Sequence, residues 1–220
     1  MPTVFFSMKP CYVCGAQGRC PDVGGPGSYH GPRDLDTRQS AAQRSAIYMW
    51  VQRCTSCGYC AVDISQGDPS VKAAVKGEAY RRQISDTSNS ETANSFLCRA
   101  LLLEQMGDLV EAGWACVYAA WVSDDSGFDD SGALCRARAV QFFQRARSES
   151  MPFAPSRGEE AVLLVDLMRR ARQAEDARKL CEVEHSADYP ERIKKILTYE
   201  MDLLEDGDST VHTEAEAMED

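Results

Sequence analysis

Two Cys-x-x-Cys pairs, Cys11-Tyr-Val-Cys14 and Cys54-Thr-Ser-Cys57, are each followed at once by glycine. Thiolates three residues apart converge when the backbone turns tightly. A glycine at the next position permits the positive φ of such a turn and admits backbone amides close to the sulfurs. Four soft thiolates close a tetrahedron around Zn2+ and leave no position for water, so Cys11, Cys14, Cys54 and Cys57 are the expected ligands of a structural zinc ion. Redox-active or simply reduced thiols are the competing reading, but a redox Cys-x-x-Cys normally opens a helix in a βαβ setting, and neither pair is placed that way. Cys60 extends the second pair to Cys-x-x-Cys-x-x-Cys and Cys20 follows the first, so a second ligand set or an iron–sulfur cluster is a further alternative. Cys60 reads more simply as a strand residue facing the core.

A second set of reactive side chains sits in the Gly24–Arg38 loop. His30, between glycines, is a candidate base or metal ligand, although general-base work needs a nucleophile or carboxylate placed beside it. Asp34, Asp36 and Arg38 are expected to bond to the loop backbone and to one another, as Asx side chains do in turns. The same residues together with His30 form the candidate ligand site. Cys181 and His185 stand four apart on an expected helix, and with no further ligands near them they read as a buried thiol and a surface histidine. Cys98, Cys116 and Cys135 fall in apolar helical patterns and behave as small hydrophobes. Trp114, Tyr118 and Trp121 make one helical stripe, expected to pack in the core.

The elements that must position these residues divide the chain into three. Residues 1–67 read as a zinc-ribbon module: Val4 to Lys9 as a short strand into the first knuckle, Gly15 to Pro32 as a long loop with six glycines and three prolines, and Gln39 to Ser45 as a short helix. Ile47 to Gln52 and Ala61 to Ile64 are expected strands around the second knuckle. This segment is too glycine-rich and too poor in apolar residues to fold alone, which a metal would remedy. Residues 68–204 read as helices: Asp68 or Pro69 to Ile84, then one from a Ser88/Glu91 capping box to Met106, Leu109 to Val122, Ser131 to Arg147, a pair opened by a Ser156/Glu159 box, and a last helix after Pro190. These helices are expected to lie in rough antiparallel pairs. Residues 205–220 carry seven acids and no Lys or Arg, and are expected to be a solvated, disordered tail.

Composition limits the function classes. At 44% hydrophobic and 26% charged the chain can build a globular core, and no apolar run is long enough for a membrane span. Met1 to Pro10 lacks the basic and apolar regions of a secretory leader, so the expected compartment is the cytoplasm, where thiols stay reduced. Of the net charge of −10, residues 1–67 contribute six Lys/Arg against four Asp, so the acidity lies in the helical part. Nucleic acid is therefore disfavoured, although Arg19, Arg33, Arg38, Arg44 and Arg53 keep a nucleic-acid-binding ribbon as an alternative.

The hairpin formed by Phe96, Ala100, Leu103, Gly107, Leu109, Ala112, Cys116 and Ala119 resembles a tetratricopeptide repeat, with small residues where helices approach closely. A weaker copy has Ala161, Val165, Met168, Ala174, Ala177 and Cys181, and departs from the pattern at Arg172 in place of the turn glycine. Residues 10 to 205 resemble a functionally uncharacterised, mainly bacterial family that joins a four-cysteine zinc ribbon to a half similar to tetratricopeptide repeats. The match is carried by Cys11, Cys14, Gly15, Gly31 to Arg38, and Trp50 to Tyr59. That resemblance implies an α+β, predominantly helical fold and no particular activity. The expectation is a zinc-stabilised interaction or scaffold protein, non-enzymatic, whose helical array takes a protein or peptide partner. An enzyme or ligand site in the Gly24–Arg38 loop is the remaining alternative.

Overall fold

The computed structural model describes residues 3–24, 31–39, 44 and 46–219. His30, most of the Gly24–Arg33 stretch and most of the expected 39–45 helix lie outside them. The fold is α+β and predominantly helical, as expected: two small antiparallel hairpins followed by eight helices among the described residues. None of these helices is long and apolar enough to cross a membrane.

Strand β1 (Thr3–Pro10) pairs with β2 (Gln17–Gly24), and β3 (Gln52–Arg53) pairs with β4 (Cys60–Ala61). The expected loop over Gly15 to Pro32 is thus a strand through Gly24. In a two-stranded ribbon both strands are edges, so Pro21 removes no bond from an interior ladder. Its carbonyl also accepts the Gln52 side-chain amide at 3.1 Å, and the neighbouring Cys20 is buried. The strand expected over Ile47 to Gln52 is a 3-10 turn at Ile47–Met49, with pairing only from Gln52. Alternation survives there, because Ile47, Met49 and Val51 are buried while Tyr48 is exposed.

The helix expected over 68–84 is broken into α1 (Val71–Ala74) and α2 (Glu78–Ile84) by extended backbone at Gly77. α3 (Glu91–Gln105) is capped by Ser90, which accepts the Ala93 N–H, and not by Ser88; Asp86 already accepts both the N–H and the hydroxyl of Ser88, at 2.9 and 2.7 Å. Then follow α4 (Leu109–Asp125), α5 (Asp129–Ser148), α6 (Arg157–Arg170), α7 (Ala174–His185) and α8 (Glu191–Asp206). At the start of α6 the Ser156 hydroxyl accepts the Glu159 N–H and donates to the Glu159 carboxylate.

One device ends most of these helices. Gly107, Gly127, Ser150, Arg172 and Gly207 all have positive φ, and in each case the next N–H reaches back to a carbonyl five residues earlier. Arg172 therefore makes the left-handed turn that the repeat pattern assigns to glycine.

α4 is the centre of the helical layer. Ala112, Ala115, Cys116, Ala119 and Ala120 are all buried, and a Cβ on Gly113 would stand 2.5 Å from the Phe143 ring of α5. Small residues let these helices approach closely. The core is continuous with the ribbon, with Ile64, Tyr59 and Val51 buried in the same cluster as Phe96 and Trp121.

The expected disordered tail is instead a packed strap over 207–219. Leu35 donates its N–H to the His212 carbonyl, Glu214 donates its N–H to the Arg33 carbonyl, and Ala217 is buried. Its acids do not repel the fold because they find partners: Arg192 with Glu214, and His212 with Asp208. Beneath the strap, Arg169 of α6 donates to the carbonyls of Asp208 and Thr210 at 3.0 and 2.9 Å, and to Asp166 and Glu200 at 2.8 and 2.7 Å. The second Glu200 oxygen has no hydrogen-bond partner among the described residues, and burial pushes this carboxyl up to about 8. A carboxyl held protonated in the fold but ionised when unfolded contributes stability that is present below its unfolded value and lost as pH rises through the folded one. Between pH 5 and pH 9 the wild-type protein should thus lose thermal stability relative to Glu200→Gln, which stays neutral. Parallel melting curves for the two proteins across this range would contradict the assignment.

Candidate metal centre

Each Cys-x-x-Cys is the turn of one hairpin, and the two turns are built alike. In the first, Cys11 N–H donates to the Ala16 carbonyl and Gly15 N–H to the Cys11 carbonyl, at 2.9 and 2.7 Å. In the second, Cys54 N–H donates to Tyr59 and Gly58 N–H to Cys54, at 2.8 and 2.9 Å. Gly15 and Gly58 have φ of +74° and +78°, the left-handed conformation that only glycine adopts without strain.

These turns bring four sulfurs together. The Sγ atoms of Cys11, Cys14, Cys54 and Cys57 all lie within 4.8 Å of one another, with Cys11 to Cys57 at 3.6 Å and Cys14 to Cys54 at 3.7 Å. Sulfurs bound at about 2.3 Å to one tetrahedral ion stand about 3.8 Å apart. The cluster thus has the spacing of a four-thiolate metal site. Burial pushes the Cys57 and Cys11 thiols up, whereas at Cys54 burial is outweighed by the amides of Cys57 and Ser56, and its thiol falls to about 7. Four thiols this close resist joint ionisation, and a bound cation is what allows it.

Cys20 and Cys60 are not in the cluster. Cys60 is buried and donates to the Gly58 carbonyl at 3.2 Å, which is the core position expected of it. Cys181 is a buried thiol bonded to the Leu197 carbonyl, and His185 is an exposed ring beside Thr198.

Residues around the cluster, which its spacing could not reveal, hold it. The Tyr80 hydroxyl of α2 donates to the Gly58 carbonyl at 2.9 Å and accepts the Cys60 N–H at 3.0 Å, so the helical half grips the second knuckle from behind. Tyr12 N–H donates to Ile64, and Lys9 pairs with Asp63 at 3.1 Å, joining the first hairpin to the segment after β4. Outer contacts of this kind orient ligands.

Asp34, Asp36 and Arg38 also come together, but mainly with helices. Asp36 is fully buried and accepts Trp121 Nε1 at 2.7 Å, Arg170 at 2.8 Å and the Arg38 N–H at 3.2 Å. Asp34 takes both its bonds from the Arg44 guanidinium at 2.8 Å, with burial and Asp36 nonetheless raising it to about 6. Arg38 is ion-paired with Asp125 of α4. These three side chains anchor the loop, and only Arg38 faces a cavity. The helical partners Trp121, Arg136 and Arg170 were invisible beforehand, since they lie far away in sequence. Trp121 of the stripe is buried, and Tyr118 packs edge-on against Trp50 of the ribbon at 5.1 Å between ring centres.

Comparisons with protein-family models, curated proteins and solved structures returned no match.

Two variants separate the metal from its support. Cys54→Ser should lower bound metal and the unfolding midpoint together, while Tyr80→Phe should keep the metal stoichiometry and cost about 1–3 kcal/mol in denaturant unfolding, from the Cys60 N–H left without its partner and the Gly58 carbonyl left with only the Cys60 thiol. Full metal loading in Cys54→Ser, with wild-type stability, would contradict the first. For the loop, Asp36→Asn removes one of the two carboxylates that hold the buried Arg170, Asp124 being the other, and should cost about 1.5–3 kcal/mol followed by tryptophan fluorescence; a cost under about 0.5 kcal/mol would show that the pair is not an anchor.

Proposed function

We propose that this chain is a zinc-stapled, non-catalytic adaptor that binds a protein or peptide partner along its helical half. The observation that carries the metal part is the sulfur spacing: 3.6 and 3.7 Å in a cluster made by two matching hairpin turns. Zinc is the ion best suited to four thiolates in a tetrahedron, and such a site is closed, leaving no position for a substrate. Its role is structural: it joins two hairpins too small to fold separately.

Support for a partner comes from the junction of ribbon and helices. An open groove of about 600 Å3 runs between them, lined by Met49, Trp50, Val62 and Tyr118, with Lys9 and Glu111 among its charged residues. Aromatic residues with a charged rim are the composition of a peptide-binding surface. On β1 beside it, Phe5, Phe6 and Met8 are each more than half exposed. The nucleic-acid alternative has less to draw on, because Arg38, Arg44 and Arg53 are directed at Asp125, Asp34 and Glu91, and Arg19 lies over the Phe6 ring.

A photoreactive amino acid placed in the full-length protein tests the partner. At Val62, in the groove, it should give a discrete protein adduct in cell extract; at the equally exposed Val183 of α7, outside the groove, it should not. Identical labelling from both positions, or adducts that disappear on nuclease treatment, would contradict this reading.

A further inference from the structure

The geometry points to a binding site for a compact, multiply charged oxyanion of the phosphate type, in the cavity between the C-terminal strap and helices α4 to α6. The cavity measures about 430 Å3, within the range of small-ligand sites. Five guanidiniums face it: Arg38 from the loop, Arg44, Arg136 of α5, Arg170 of α6 and Arg172 at the turn after α6. Three carboxylates share the lining, Asp124, Asp125 and Asp129. Among the described lining residues, arginines outnumber acids five to three in a chain of net charge −10.

The guanidiniums are held in place by Asp34 and Asp36 outside the lining and by Asp124 within it. Arg170 is fixed by Asp36 and Asp124 at 2.8 Å each, Arg44 by Asp34, and Arg136 by Asp124 at 3.0 Å. Such anchoring keeps planar forks rigid, and rigid forks recognise phosphate oxygens two at a time. The buried Nε of Arg38 and of Arg136 has no hydrogen-bond partner among the described residues, so neither guanidinium has all its donors met by the surrounding acids. At the rim, Arg172 is 60% exposed with Asp130, itself exposed, as its acidic partner, and is free to swing onto a ligand.

The rest of the lining narrows the class. Among the described residues no aromatic ring lines the cavity and its apolar side chains are Ala133 and Val211, so these residues offer no surface to a nucleobase or an acyl chain. Ser209 and Thr210 of the strap form one side, and Arg169 holds the strap there through the Asp208 and Thr210 carbonyls. Asp125, 43% exposed and paired with Arg38, is the acid that an incoming anion displaces. This site stands independently of the metal and of the partner groove.

Titration calorimetry of the full-length protein with inorganic pyrophosphate and with inorganic phosphate, in low-salt buffer, tests the proposal. One equivalent of pyrophosphate should bind, more tightly than phosphate. Arg172→Gln should weaken it about tenfold, the loss of one charge-assisted contact. Asp125→Asn should tighten it, because Arg38 is released; a site for cations would respond in the opposite sense. Arg138→Gln, a change outside the cavity, should leave affinity unaltered. No heat with up to about 10 mM pyrophosphate, equal affinity in Arg172→Gln and wild type, or weaker binding in Asp125→Asn would each overturn the assignment.

Discussion

Four thiols confined within 4.8 Å of one another set the constraint on which the N-terminal half depends. Burial pushes the Cys11 and Cys57 thiols up, and a bound cation would make all four sulfurs ligands and the two hairpins one body. The backbone accepts this because both turns place a glycine in the left-handed region directly after the second cysteine. β3 and β4 are two residues each, too short to hold themselves together. The four-cysteine cluster and Tyr80 supply what their ladder lacks.

A second constraint joins the halves. Asp36 lies in a loop of the ribbon half, yet its carboxylate sits fully buried against Trp121 of α4 and Arg170 of α6. A buried carboxylate is tolerated only with such partners, so the loop is placed as firmly as the helices that meet it. The strap then covers this junction, pairing its backbone with residues 33–35 while Arg169 holds it from below. Four-cysteine cluster, ion-paired loop and strap form one chain of support from the knuckles to the C-terminal segment.

Much of this was legible in the residues. Two Cys-x-x-Cys-Gly motifs repeat a local geometry, and local geometry is what spacing encodes, so the four cysteines were identifiable and their convergence followed. Helices α3 to α8 were visible in their apolar periodicity and in capping residues such as Ser156. What escaped was non-local or depended on compensation. β2 looked like a loop because glycine and proline carry no strand signal, although a two-stranded ribbon tolerates them. Residues 205–220 looked solvated because their acids outnumber their hydrophobics, and the residues that hold the strap, Arg169 at its carbonyls and Arg192 at Glu214, belong to helices. Asp36 looked like a turn residue, and only the fold shows that Trp121 and Arg170 are waiting for it. The helical break at Gly77 and the cap at Ser90 rather than Ser88 are smaller cases in which one local signal prevailed over another.

The account rests on a closed four-sulfur metal site, and X-ray absorption at the metal edge of the purified protein examines it most directly. It predicts zinc, one ion per chain, with four sulfur neighbours at about 2.3 Å and no lighter atom in the first shell. Protein that retains no metal, an iron edge, or a shell containing nitrogen or oxygen would contradict it.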